Sequence, residues 1–198
     1  MKMYRVWAPV VALLFSGALQ ASTVWDETLA GDLSNDGLGP TALSFALGSN
    51  VIAGMTGNPG PGVDRDYFSF VVPEGATLTA LRILNSTTFS GGASFLGLQA
   101  GPQLTVSPSG SGSANLLGFV HYNNDQIGTD VLAGLYFGSP SLPSGIYSAW
   151  VQETGGPVGY AFDFELSPTP VPLPGGFVLL ISAVGALLGK RTLMGRPR

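Results

Sequence analysis

The sequence contains no cysteine and a single histidine. Without cysteine, disulfides cannot hold a folded domain together, so its stability must come from a packed core, helped at most by a bound ion. With one histidine and no thiol, too few nitrogen or sulfur donors remain for a zinc site. Charge is scarce as well. Only 10% of the 198 residues are charged, against about a quarter in an ordinary soluble domain. Bases are nearly missing from the middle of the chain. Lys2, Arg5, Lys190, Arg191, Arg196 and Arg198 sit at the two ends, and only Arg65 and Arg82 lie among the twelve acids that run from Asp26 to Glu165. The central region therefore carries a formal charge of −10. Such a surface repels nucleic acid and anionic membranes and tolerates cations, calcium included.

What is abundant narrows the fold. Glycine (29) and proline (15) are plentiful, yet 45% of residues are apolar and 10% aromatic. That is too much apolar surface for a disordered chain. Short strands punctuated by Gly, Pro, Asn and Ser fit better. Strand-like runs are expected at 41–47 and 51–55, joined by Gly48, Ser49 and Asn50 as a hairpin, and then at 66–72, 77–84, 93–99, 103–107, 114–122, 131–137, 145–153 and 159–166. In the last run Tyr160, Phe162, Phe164 and Leu166 face one way, and Asp163 and Glu165 the other. No persuasive helical period is present. The expected fold is all-β, an antiparallel, jelly-roll-like β-sandwich.

The two ends read as signals. Lys2 and Arg5 precede an apolar run, 6–15, and small residues to Ala21. This is the layout of a secretion signal, with cleavage expected between Ala21 and Ser22 and a second choice after Ala18. At the other end, the prolines of 168–174 can continue neither strand nor helix and form a stiff stalk. Residues 177–188 carry no charge, and Lys190, Arg191, Arg196 and Arg198 close the chain. Apolar residues followed by positive charge orient a span with its C-terminus in the cytoplasm, although the run is short of the ~20 residues of a comfortable helix. The expected organisation is a signal peptide over 1–21, an acidic β-sandwich over 22–167, a Pro-rich stalk over 168–176, an apolar transmembrane segment over 177–189 and a basic tail over 190–198.

Val171, Pro172, Leu173 and Pro174, the short span and the basic end together resemble the PEP-CTERM class of sorting signals, in its VPLPA-type variant. The variant has Ala where Gly175 stands, and the type motif has Glu where Leu173 stands. The resemblance covers about the last thirty residues. It implies processing by an exosortase-like membrane enzyme in a Gram-negative bacterium, and association with exopolysaccharide or biofilm. In the centre, residues 64–75 (Asp64, Asp66, an aromatic strand, then Pro73 and Gly75) and the closing segments 142–151 and 160–166 resemble the bacterial pre-peptidase C-terminal domain. That resemblance implies a β-sandwich accessory module without catalysis of its own.

Candidate chemistry is sparse. His121 is the only base for a Ser-His-Asp triad, and no serine sits in a Gly-x-Ser-x-Gly elbow. No catalytic residue is expected, and a hydrogen-bonded structural histidine is the plainer reading. Calcium, which takes several oxygens, is the better metal candidate. Asp64 and Asp66 flank Arg65 where a loop enters a strand, and residues 32–37 copy the opening of an Asp-x-Ser-x-Asp-Gly loop, with Leu43 where its closing Glu belongs. Turn and strand capping, with Asp66 paired to Arg82, is the more economical account of the first, and a solvated turn of the second. Trp25, Tyr122, Tyr136 and Trp150 supply rings for a sugar-stacking platform or, more commonly, a core. Asn85, Ser86 and Thr87 match a glycosylation acceptor, or a turn. The expected function is that of a non-enzymatic exported surface or matrix protein, with a calcium-assisted carbohydrate-binding module as the alternative.

Overall fold

The computed structural model describes residues 21–58, 60, 62–89, 94–108, 114–136 and 139–170. The expected signal peptide up to residue 20 and the sorting motif, apolar segment and basic tail from residue 171 lie outside the described residues. Nine strands are described: β1 (Ser22–Asp26), β2 (Thr41–Leu43), β3 (Gly48–Thr56), β4 (Arg65–Val72), β5 (Ala76–Ile83), β6 (Ser94–Ala100), β7 (Gly118–Tyr122), β8 (Gly145–Gln152) and β9 (Val158–Pro168). Two single-turn helices, α1 (Glu27–Ala30) and α2 (Leu132–Leu135), and a 3-10 turn (Asn124–Gln126) complete the described elements. The described residues are thus mostly β in two sheets, as their alternation predicts.

The strands form two sheets, in the orders β1-β3-β9-β5 and β2-β4-β8-β6-β7. Their facing sides make one core. From the first come Ile52, Phe162, Phe164 and Leu166, and from the second Phe68, Phe70, Val72, Leu96, Leu98 and Val151, all essentially inaccessible to water. Burying each such side chain contributes about 1.5–3 kcal/mol. The aromatic rings join the sheets. Phe164 meets Phe68 edge-on at 5.9 Å and Phe70 at 5.3 Å, and Tyr122 meets Phe162 edge-on at 5.6 Å.

Several local expectations are corrected. Residues 48–50 are not a hairpin turn. They open β3, while β2 lies in the other sheet. Gly48 (φ +98°) reverses the chain, and the buried Asn50 amide ties Ala46, Gly48 and Phe164 together. Nor is the pairing wholly antiparallel: β1 runs parallel to β3, and β2 parallel to β4. β8 and β9 belong to different sheets, so 153–157 crosses from one sheet to the other.

Residues 103–107 form no strand. They lie over the outer face of the five-stranded sheet, where Leu104 packs on Tyr67 and Trp150. There the Gln99 amide clasps Thr105, accepting from its N–H at 3.1 Å and donating to its hydroxyl at 3.0 Å. The run 131–137 contains α2 instead of a strand. The Asp130 carboxylate accepts from Leu132 N and also from Leu81 N, which fixes the turn against β5 while Leu132 and Leu135 enter the core.

Candidate metal centre

The strand β4 begins with an anomaly. Alternation points Asp66, Phe68, Phe70 and Val72 inward and Arg65 and Tyr67 outward. Asp66 therefore places a carboxylic acid in the interior, 0% exposed, and neither of its oxygens has a hydrogen-bond partner. A buried charge left in that condition costs several kcal/mol. The expected pairing of Asp66 with Arg82 is not formed. Arg82 on β5 pairs on the surface with Glu165 of the neighbouring β9, both in the sheet opposite Asp66.

Two further acids approach Asp66. One ligand oxygen each from Glu27, Asp32 and Asp66 lie within 4.8 Å of one another. Glu27 arrives because Asp26 ends β1 by capping α1: its carboxylate accepts from Thr28 N at 2.9 Å. Glu27 is then held at both oxygens, Oε1 accepting from Leu33 N (3.0 Å) and Oε2 from Met55 N (2.7 Å). Asp32 follows α1 and is exposed. The loop carrying it is laced to β4: Tyr67 N donates to Ser34 O at 2.9 Å, and Arg65 N to the Asn35 side chain at 2.8 Å. Asp64 stands one bridge ahead of β4, its backbone paired with Gly57.

The electrostatics are those of crowded acids. Burial pushes the Asp66 carboxyl up to about 9, with the Glu27 charge next in effect and the Tyr160 phenol opposing. Burial also raises Glu27, against the pull of the Leu33 and Met55 amides, and raises Asp32, aided by the Asp64 charge. The Asp64 charge acts on all three. Arg65 offers no relief. Its Nε donates to the Gln152 side chain at 2.6 Å, on the outer face.

A cleft of about 390 Å³ is lined by Asp26, Glu27, Gly54, Met55 and Tyr160 among others, and so touches the cluster at Glu27. Gly54 keeps the space open. A Cβ there would stand 2.5 Å from the Tyr160 hydroxyl and 2.7 Å from the Glu27 carboxyl carbon. The donors are oxygens alone, which suits a hard cation such as calcium and not a soft one. Of the two calcium candidates in the sequence, 64–66 and 32–37, each contributes one member of a single cluster. Glu27 was missed. Its only signal is that acids are rare in this chain and six of the twelve lie within 26–36 or beside Arg65.

The other candidate residues are dispersed. His121 is exposed on β7, edge-on to Phe95 and Phe119 at 5.6 and 5.7 Å. Tyr122 is core, Trp150 packs with Leu104, Val106 and Leu116, and Trp25 and Tyr136 are half-buried against the core, so these four rings form no platform. Thr87 is buried and its hydroxyl bonds the backbone of Ala161, which makes 85–87 a turn anchored to β9. A second cleft, of about 330 Å³, opens over Tyr67 between Asn35, Asp36, Arg65, Leu104 and Thr105. Among the described residues no helix is long and apolar enough to cross a membrane.

No protein family, curated protein or solved structure matches the chain.

Proposed function

We propose that the chain is a non-enzymatic, exported surface or extracellular-matrix protein, sorted through its C-terminal tail by an exosortase-like enzyme and associated with exopolysaccharide or biofilm. The observation that carries this reading is positional. A basic-then-apolar run to Ala21 precedes the acidic β domain, and Val171 to Pro174, an uncharged apolar run and a basic end follow it, in the order that export and tail sorting require. The acidic, base-poor composition of that domain suits an exterior rich in cations and neutral sugars. The two-sheet fold, with β3 and β4, and again β8 and β9, alternating between sheets, is read here as jelly-roll-like.

The test is intact-mass analysis of the protein from its native host, wild type against the Pro172→Ala, Pro174→Ala double variant. A wild-type species beginning near Ser22 and ending near Pro174, with the tail retained in the variant, supports sorting. A wild-type chain that keeps Arg198 overturns it in favour of a simple membrane anchor.

The cleft over Tyr67 favours a second reading, a calcium-assisted carbohydrate-binding module. Asn35 touches both regions, its amide donating toward Asp32 at 3.5 Å and its oxygen accepting from Arg65 N. Neutral polysaccharide retained by the full chain, and released by Arg65→Ala, supports it. Silence across neutral and acidic glycans removes it.

A further inference from the structure

We propose that Glu27, Asp32 and Asp66 bind one calcium ion, and that the ion clips the segment between β1 and β2 onto the start of β4. The proposal stands apart from the export reading, because it concerns the β domain alone and is read by ion binding rather than by processing.

Three observations converge on it. The first is spacing. Two oxygens on one calcium lie at most about 5 Å apart, twice a Ca–O distance of about 2.3–2.6 Å. The three acids here fall within 4.8 Å of one another. The second is the unmet valence of Asp66. It is completely buried, and both oxygens lack partners. A proton neutralises the carboxyl at one oxygen and leaves the other without a partner. A cation satisfies both oxygens together. The third is the neighbouring Tyr160 hydroxyl, itself buried and unpartnered. It is a neutral oxygen in the same recess, beside the position that Gly54 leaves open.

The placement of the donors gives the ion a structural role. Asp66 belongs to the five-stranded sheet, Glu27 is bonded to the edge of β3 in the other, and Asp32 lies on the loop between them. Without the ion, three acids and the Asp64 charge repel one another where the loop closes over the sheets. With it, the same charges hold the loop down. Asp32 is exposed, and the cavity beside Glu27 and Tyr160 opens on the same side of the cluster, so two of the donors are approached from solvent. Magnesium demands a tighter, near-octahedral shell at about 2.0–2.1 Å, which suits poorly a trio contributed by three separate segments.

The experiment uses the full chain in detergent, stripped with EDTA and titrated calorimetrically with calcium chloride, with thermal unfolding and amide hydrogen exchange in parallel. One saturable calcium per chain, a raised Tm and slowed exchange over residues 27–37 are expected. Asp66→Asn and Asp32→Asn should each weaken binding at least about tenfold, while Glu74→Gln, at an exposed turn, keeps the full response. Asp66→Asn removes a buried acid, so in EDTA it should unfold no earlier than wild type. That comparison separates a lost site from a lost fold. No saturable binding, or undiminished binding in Asp66→Asn, overturns the proposal. An equal Tm rise with magnesium overturns the assignment to calcium, and unchanged exchange over 27–37 overturns the clip.

Discussion

Asp66 of β4 and Tyr160 of β9 reach toward each other from opposite sheets and meet in the interior without completing a hydrogen bond. The phenol is near enough to ease the carboxyl toward ionisation, and the carboxyl in turn helps burial to hold the phenol well above its ordinary pKa. Other buried side chains such as Asn50, Thr87 and Ser94 complete their hydrogen bonds. The pair places two unsatisfied polar groups, one from each sheet, against each other.

The metal-free protein should lose stability as pH rises. Folded, Asp66 holds its proton up to about 9, whereas in the unfolded chain it releases it near the ordinary value of 3.8. Between those limits the native state binds more protons than the unfolded state, so raising pH favours unfolding. Glu27 and Asp32 are raised too and act in the same direction. Thermal unfolding in EDTA should show Tm falling from about pH 5 to about pH 9. In calcium the fall should be shallower, because the ion takes the place of the proton. Asp66→Asn should flatten the EDTA profile, and a variant profile as steep as wild type would sink this account.

Gly54 should tolerate no side chain. The Cβ of Gly54→Ala would press on the end of a buried, rigid ring and on a carboxyl held by two backbone amides. Neither neighbour yields cheaply. A loss of about 1–3 kcal/mol is expected from overpacking, together with loss of the calcium response. Urea unfolding measures the first and calorimetry the second. A variant as stable as wild type would mean that the recess between Glu27 and Tyr160 is roomier than it stands here.

Much of this was legible in the sequence, and the rest was not for identifiable reasons. β8 and β9 announce themselves because each keeps one face apolar over its whole length, and β4 because its inward face is apolar after Asp66. Residues 131–137 mislead, because an apolar run of seven reads equally as strand or short helix, and only the Asp130 carboxylate bonded to Leu132 N and Leu81 N decides it. The parallel edges β1 and β2 leave no local trace, since their partners are set by which sheet the chain enters. Asp32 and Asp66 each drew notice, but as separate sites. Their meeting depends on the loop after α1 folding back across β4, and no spacing rule encodes that.

The inter-sheet aromatic contact should dominate stability over surface charge. Phe164 touches the rings of Phe45, Phe68 and Phe70 and is wholly buried. Phe164→Ala should cost about 3–5 kcal/mol. Arg82→Ala breaks the Arg82–Glu165 pair, whose side chains are each 41% exposed, and should cost no more than about 1 kcal/mol. Chemical denaturation of both variants checks the ranking. Equal losses would show that the surface pair contributes more than its exposure allows.

Asn50 offers a sharper test, because one atom decides it. Its oxygen accepts from Ala46 N at 2.8 Å, and its NH₂ is shared among the carbonyls of Ala46, Gly48 and Phe164 at 2.9–3.1 Å. Asn50→Ala abandons these groups in a site 1% exposed, at about 1–3 kcal/mol. Asn50→Asp keeps the shape and the bond from Ala46 N, but turns the donor into a buried negative oxygen facing three carbonyls. It should cost more, about 3–5 kcal/mol at neutral pH. Acid should then restore part of that loss, since a protonated Asp donates to one carbonyl again, while the Asn50→Ala deficit stays fixed. Urea midpoints at acidic and neutral pH give the answer. If Asn50→Ala is the more damaging of the two at neutral pH, the amide's donors are not what holds the 46–48 turn to β9.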